Sequence, residues 1–159
     1  MHYILMGLMA AMMVGLDQYT KHLTVQNIPL HGYAPGIDGI FSLTYFQNDG
    51  AAWSSFRGMQ WLFMVIFVAL TMGMIWEFSR KRLGLKNFER WCIAAIWAGG
   101  LGNMIDRVRF GYVVDMVNLE FMNFPIFNVA DCFVTCGCIA LIAHLVFFNK
   151  EFWKDDKKK

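Results

Sequence analysis

The chain has 159 residues, enough for one compact unit; 57% are hydrophobic and 16% charged. Soluble domains carry about 25% charged residues, so the composition points away from an ordinary soluble domain and toward a membrane protein. The formal net charge of +2 says little about partners; the placement of the charges says more.

Four apolar stretches follow one another. Tyr3 to Leu16 runs on through "DQYTKHL". It resembles the apolar core of a signal peptide, but no Lys or Arg precedes it. Asp17 and Lys21 follow where a cleavage site should be neutral, so it reads as a retained anchor. Trp61 to Trp76 holds sixteen residues without a charge, Trp91 to Ile105 comes third, and Cys132 to Phe148 has only His144 ionisable. A spanning helix needs about 20 residues, so each run must take polar residues into one end, facing protein or water rather than lipid. The expected spans are roughly 3–23, 60–78, 90–107 and 130–148 in one domain, 1–159, with a basic tail at 150–159.

Orientation follows from Lys and Arg. "SRKRLGLKNFER" and the tail hold ten of the fourteen basic residues, and four spans place both on one side. The positive-inside rule makes that side cytoplasmic, with both termini inside and loops 24–58 and 107–131 outside. In the first outer loop Phe41, Leu43 and Tyr45 alternate with Ser42 and Thr44 before the turn Asn48-Asp49-Gly50. In the second, Asp115, Val117, Leu119 and Phe121 share one face, Asn118 and Glu120 the other, and Pro125 ends the run. The fold class is therefore membrane all-α: four transmembrane helices, with short extracytoplasmic strands forming a small sheet at the outer interface.

This topology gathers Asp17, Lys21, Asn48, Asn103, Asp106, Arg107, Asp115, Asn128 and Asp131 near the outer interface, and nothing comparable is expected at the midplane or the inner end. Gly99, Asn103, Asp106 and Arg107 fall on one helix face, where glycines admit a close neighbour. Asp17 and Lys21 are i,i+4 partners. Two carboxylates in one low-dielectric site cannot both ionise readily, so one keeps its proton to a higher pH. Such a pair can hold a water, one member acting as base and the other polarising a carbonyl. Asp115 and Asp131 are candidates for that pair. Taken singly, Asp131 also fits a helix cap, Asp115 a solvated loop acid, Asp106 an ion pair with Arg107, and Asp17–Lys21 a structural pair. Cys92, Cys132, Cys136 and Cys138 read as small buried apolar residues. The histidines are too scattered for a metal site.

"DQYTK" (17–21), "NDGAAWS" (48–54), "GGLGNMIDR" (99–107), "VVDM" (113–116) and "FNVAD" (127–131) together resemble, in order, the sequence blocks of the lipoprotein signal peptidase (signal peptidase II) family. The resemblance covers nearly the whole chain. It implies an intramembrane aspartic endopeptidase of the bacterial cytoplasmic membrane that cuts diacylglyceryl-modified prolipoproteins just before the lipidated cysteine. Asp115 and Asp131 carry over as the catalytic pair, and Asn103 and Arg107 as substrate-binding and oxyanion-side groups. Asn48, Gly50, Ala51 and Ala52 carry over to the outer lip of the site, Asn128 orients the pair, and Asp17, Lys21 and Asp106 support it. Trp53 and Met116 stand where Phe is common in the family. The expected partners are the prolipoprotein substrates and membrane lipid, with no cofactor, metal or nucleic acid, and the chain is expected to act as a monomer. The rival reading is a small ion or proton carrier, which should instead place its acids along a route or near the midplane.

Overall fold

The computed structural model describes residues 2–50, 55–56, 58–149 and 152–153. The element order is α1 (His2–Asn27), β1 (Tyr33–Ile37), β2 (Phe41–Asn48), α2 (Gln60–Arg80), α3 (Asn87–Phe110), β3 (Val113–Leu119) and α4 (Val129–Phe147). Apart from Phe152 and Trp153, the tail at 150–159 lies outside the described residues, as do Ala51, Ala52 and Trp53.

The four apolar runs each form a helix, and local chemistry sets several ends. The Glu89 carboxylate accepts the Lys86 N–H at 2.6 Å and so closes the start of α3. Gly111, with φ 79°, ends that helix and returns its N–H to the Arg107 carbonyl at 3.0 Å. By length and composition, α2 and α4 can cross a membrane. Helices α1 and α3 are longer but less apolar: Asp17, Gln18, Thr20 and Lys21 interrupt the first, and Glu89, Arg90, Asp106, Arg107 and Arg109 the second. The expectation of four spans is thus met in part, as four long helices of which two meet the hydropathy requirement.

Burial is inverted relative to a soluble fold. Leu8 and Met12 on α1, Val68, Leu70 and Met72 on α2, and Ile139, Ile142 and Val146 on α4 are all exposed. The largest fully enclosed side chains are Glu89, Asn128, Asn149, Asp17, Asp106 and Asp115. Apolar surface on this scale needs a nonaqueous surround, while the polar groups satisfy one another inside. Helix α3 is central and packs on the other three helices. A Cβ at Gly99 would collide with the Ala130 carbonyl oxygen and one at Gly102 with the Asp17 carboxylate. These two glycines therefore let α4 and α1 approach α3 closely.

The three strands form one antiparallel sheet in the order β1-β2-β3. The expected strands at Phe41 and Asp115 are β2 and β3. Strand β3 stops at Leu119, so Phe121 lies beyond it and is exposed. Strand β1, which contains Pro35, was not expected; it is an edge strand, where a missing N–H is tolerated. Leu43 pairs with Val117 and Phe46 with Asp115, so Thr44 and Tyr45 together oppose Met116. Such a bulge twists a strand locally and often lies beside an active site. The other edge of β3 is occupied: the Phe127 carbonyl accepts from Met116 and Val117, and Asp106 accepts the Val114 N–H. Ile28, Tyr45, Val114 and Met116 make a small apolar core joining the sheet to the end of α1.

The opposite end of the bundle corrects one expectation. Glu77, Glu89 and Asn149 are buried there. Glu89 accepts from Asn149 Nδ2 at 2.8 Å and contacts His144 Nδ1 at 2.9 Å. A second polar cluster thus exists where none was expected. Its members are spread over 77–149, so no short motif announces it.

Candidate active site

Asp115 and Asp131 line one cleft of about 580 Å³, together with Asn48, Gly50, Asn103 and Arg107. Apolar walls continue it through Val113, Leu119, Phe124, Ile126, Phe127 and Val134. A mainly apolar cavity with a few convergent polar groups is what a binding site requires.

Asp115 is supplied by β3 and is 1% exposed. Its Oδ1 accepts from Asn128 Nδ2 at 2.6 Å and its Oδ2 from Asn48 Nδ2 at 2.9 Å. The second bond follows from register: Asn48 pairs with Val113, which puts it diagonally across from Asp115. Asn48 Oδ1 accepts the Gly50 N–H at 3.0 Å, and this local turn fixes the amide with its nitrogen toward the acid. Burial pushes the Asp115 carboxyl up to about 7. The charge of Asp131 adds to that, and the Asn48 and Asn128 amides and Lys21 oppose it.

Asp131 sits in the first turn of α4. The cap of that helix is Asn128, whose Oδ1 accepts the Asp131 N–H at 3.0 Å. Asp131 occupies the third helical position, and its Oδ2 accepts the Asn128 N–H at 3.2 Å. Together they form a capping box, so Asp131 is not itself the cap. Its Oδ1 accepts from Asn103 Nδ2 at 2.7 Å. Asn128 therefore bonds to both acids.

A buried charge cluster underlies the cleft. Lys21 Nζ lies 2.9 Å from Asp17 and 3.0 Å from Asp106, and donates to Asn103 Oδ1 at 2.9 Å. Asn103 Oδ1 also accepts from Asn128 Nδ2 at 3.0 Å. With its oxygen held by two donors, Asn103 must turn its nitrogen to Asp131. Asp17 accepts the Ala130 N–H at 2.9 Å and Asp106 the Val114 N–H at 3.1 Å. The cluster thus ties α1 and α3 to the two segments that carry the acids. The expected pair of Asp106 with Arg107 is replaced by Asp106 with Lys21.

Arg107 donates to the Gly50 carbonyl at 2.8 Å and the Asn103 carbonyl at 3.4 Å, with its guanidinium carbon 4.4 Å from the Phe63 ring centre. Its Nε is buried without a partner among the described residues. Two contributors escaped the sequence reading. Gln18 Nε2 bonds Asp106, Asp17 and the Gly102 carbonyl, and only its position beside Asp17 could have signalled it. Phe63 lies in a run that reads as plain membrane packing. The cysteine expectation also changes: Cys92 is buried, Cys138 half-buried, and Cys132 and Cys136 are exposed.

The profile of the family described as Signal peptidase (SPase) II matches residues 9–147. A lipoprotein signal peptidase of Enterococcus faecalis is 45% identical over 148 residues, covering 90% of this chain and 88% of its own. One from Streptococcus pyogenes is 42% identical over 145 residues, covering 91% and 90%. A bacterial membrane enzyme solved by the in meso method superimposes with a TM-score of 0.84 at 30% identity, over 97% of this chain and 93% of the other. The chain belongs to the signal peptidase II family.

Proposed function

We propose that the chain is an aspartic endopeptidase that removes the signal peptide from prolipoproteins, with Asp115 and Asp131 as its catalytic pair. The observation that carries this reading is the meeting of both carboxylates in one cleft, joined through Asn128. Asp115, with its carboxyl pushed up to about 7, holds the shared proton, and Asp131 acts as the base. Asp131 takes a proton from a water whose oxygen attacks the scissile carbonyl carbon, while Asp115 passes its proton to the carbonyl oxygen. The tetrahedral intermediate then collapses: Asp131 gives its proton to the leaving nitrogen as the C–N bond breaks, and a hydroxyl of the intermediate returns a proton to Asp115 as the new carboxyl forms. Asn103, Asn128 and Asn48 hold the acids in place. Arg107, at the lip with Gly50, donates to substrate carbonyls.

All four helices cross the bacterial cytoplasmic membrane, both termini lie in the cytoplasm, and the single domain works as a monomer. The sheet and cleft then lie at the outer leaflet, where the acyl chains of a diacylglyceryl cysteine remain in lipid while the bond before it enters the cleft. The inverted burial supports this embedding. The test is cleavage of a lipid-modified precursor peptide by purified wild type, Asp115→Asn and Asp131→Asn. Loss of turnover in both variants with retained folding is expected; full turnover by either removes that residue from the pair.

A further inference from the structure

We propose that Cys132 and Cys136 form a thiol pair on the cleft wall that captures a dithiol-seeking electrophile, a trivalent arsenical, and that this capture blocks the substrate path. The second half rests on the reading of the cleft given above.

The two residues stand four apart on α4, so their Cβ atoms are neighbours about 5–6 Å apart on one helix face. Both thiols are free and exposed, and both line the cleft, Cys132 next in sequence to Asp131 and Cys136 one turn further along. The other cysteines are not so placed. Cys138 is two residues beyond Cys136, on another face of the helix, and is half-buried; Cys92 is buried on α3. Flexible thiol side chains at this spacing can converge on one soft atom, and the cavity beside them, about 580 Å³, admits a small aryl group.

The chemistry balances without an oxidant or reductant. An aryl arsenoxide meets two thiols; the arsenic–oxygen bond and two S–H bonds break, and two As–S bonds form. Both thiol protons leave with the oxygen as one water, and arsenic stays trivalent. Cyclic dithioarsenites resist exchange with monothiols and yield to dithiols, which separates paired capture from single-thiol labelling.

The experiment treats the full-length purified enzyme with phenylarsine oxide, then reads intact mass and cleavage of a lipid-modified precursor peptide. The expected result is one arsenic per chain, stable to a monothiol and removed by a dithiol, with cleavage lost and restored in step. Cys132→Ala and Cys136→Ala should each lose the monothiol-stable adduct and the inhibition, scored against each variant's own untreated rate. Cys138→Ala should behave as the parent. Failure of the parent to hold arsenic against a monothiol, or a stable adduct in either single variant, overturns the pair. A stable adduct that leaves cleavage at the untreated rate overturns the blockade, whereas the assignment of this cleft to the substrate stands or falls with Asp115→Asn and Asp131→Asn.

Discussion

Both ends of the helical bundle bury carboxylates, but they use them differently. At the start of α3, the Glu89 side chain meets the Lys86 N–H, Asn149 and His144. Around it, Lys86 Nζ donates to the Phe148 carbonyl at 2.5 Å and Asn149 to the Gly84 carbonyl at 3.2 Å, fastening α4 to the α2–α3 connection. At the other end, Asp115 and Asp131 are also held by amides, yet both face a cleft. What sets this dyad apart is that its two acids share a neighbour, Asn128, and open on a cleft.

The largest effect should come from the dyad itself. Asp115→Asn and Asp131→Asn should each lower turnover by at least roughly a thousandfold with folding unchanged, whereas Glu89→Gln should leave turnover per folded molecule intact. Cleavage assays beside thermal unfolding read both, and equal loss at the two ends would erase the contrast. Asn128→Ala should come next, at about a hundredfold, because it strips a donor from Asp115 and the cap from α4 in one change. Lys21→Met leaves Asp17 and Asp106 without their cation and should destabilise by roughly 3–5 kcal/mol, read as a lower unfolding midpoint.

The pH dependence gives a finer division. The Asp115 carboxyl is raised from 3.8 to about 7 in the fold. Its contribution to stability is therefore complete below about 3.8, declines as pH rises through that window, and is gone above about 7. Turnover should fall over the upper part of the same range as Asp115 loses its proton. Asp115→Asn should flatten the stability slope between those limits, measured by unfolding across pH. The smallest expected effect is that of Glu89→Ala, which strands Asn149 and His144 and should lower stability by about 1–3 kcal/mol. A drop in turnover per folded molecule would couple the far end to the dyad.

The polar residues of the site were legible for a physical reason. Asn103, Asp106 and Arg107 are spaced on a helix, and Asp131 begins one, so periodicity and charge cost placed them together. The pairing of Asp115 with Asn48 was less accessible, because it depends on the β2–β3 register, and the bulge opposite Met116 sets part of that register. Asp106 was paired with the wrong cation, since sequence adjacency favoured Arg107 while packing across Gly102 brought up α1 and Lys21. Strand β1 contains Pro35, a residue that argues against a strand. The Glu89–His144–Asn149 cluster was invisible because its members are far apart in the chain and each looks ordinary alone.

The finished borders of the small sheet restrict how a peptide can be read. Pro35 interrupts donation along one border, and Phe127 with Asp106 occupies N–H groups along the other. An extended guest therefore finds the β3 border already taken for β-augmentation. Discrimination among precursors then falls to side-chain fit along the apolar walls of the cleft.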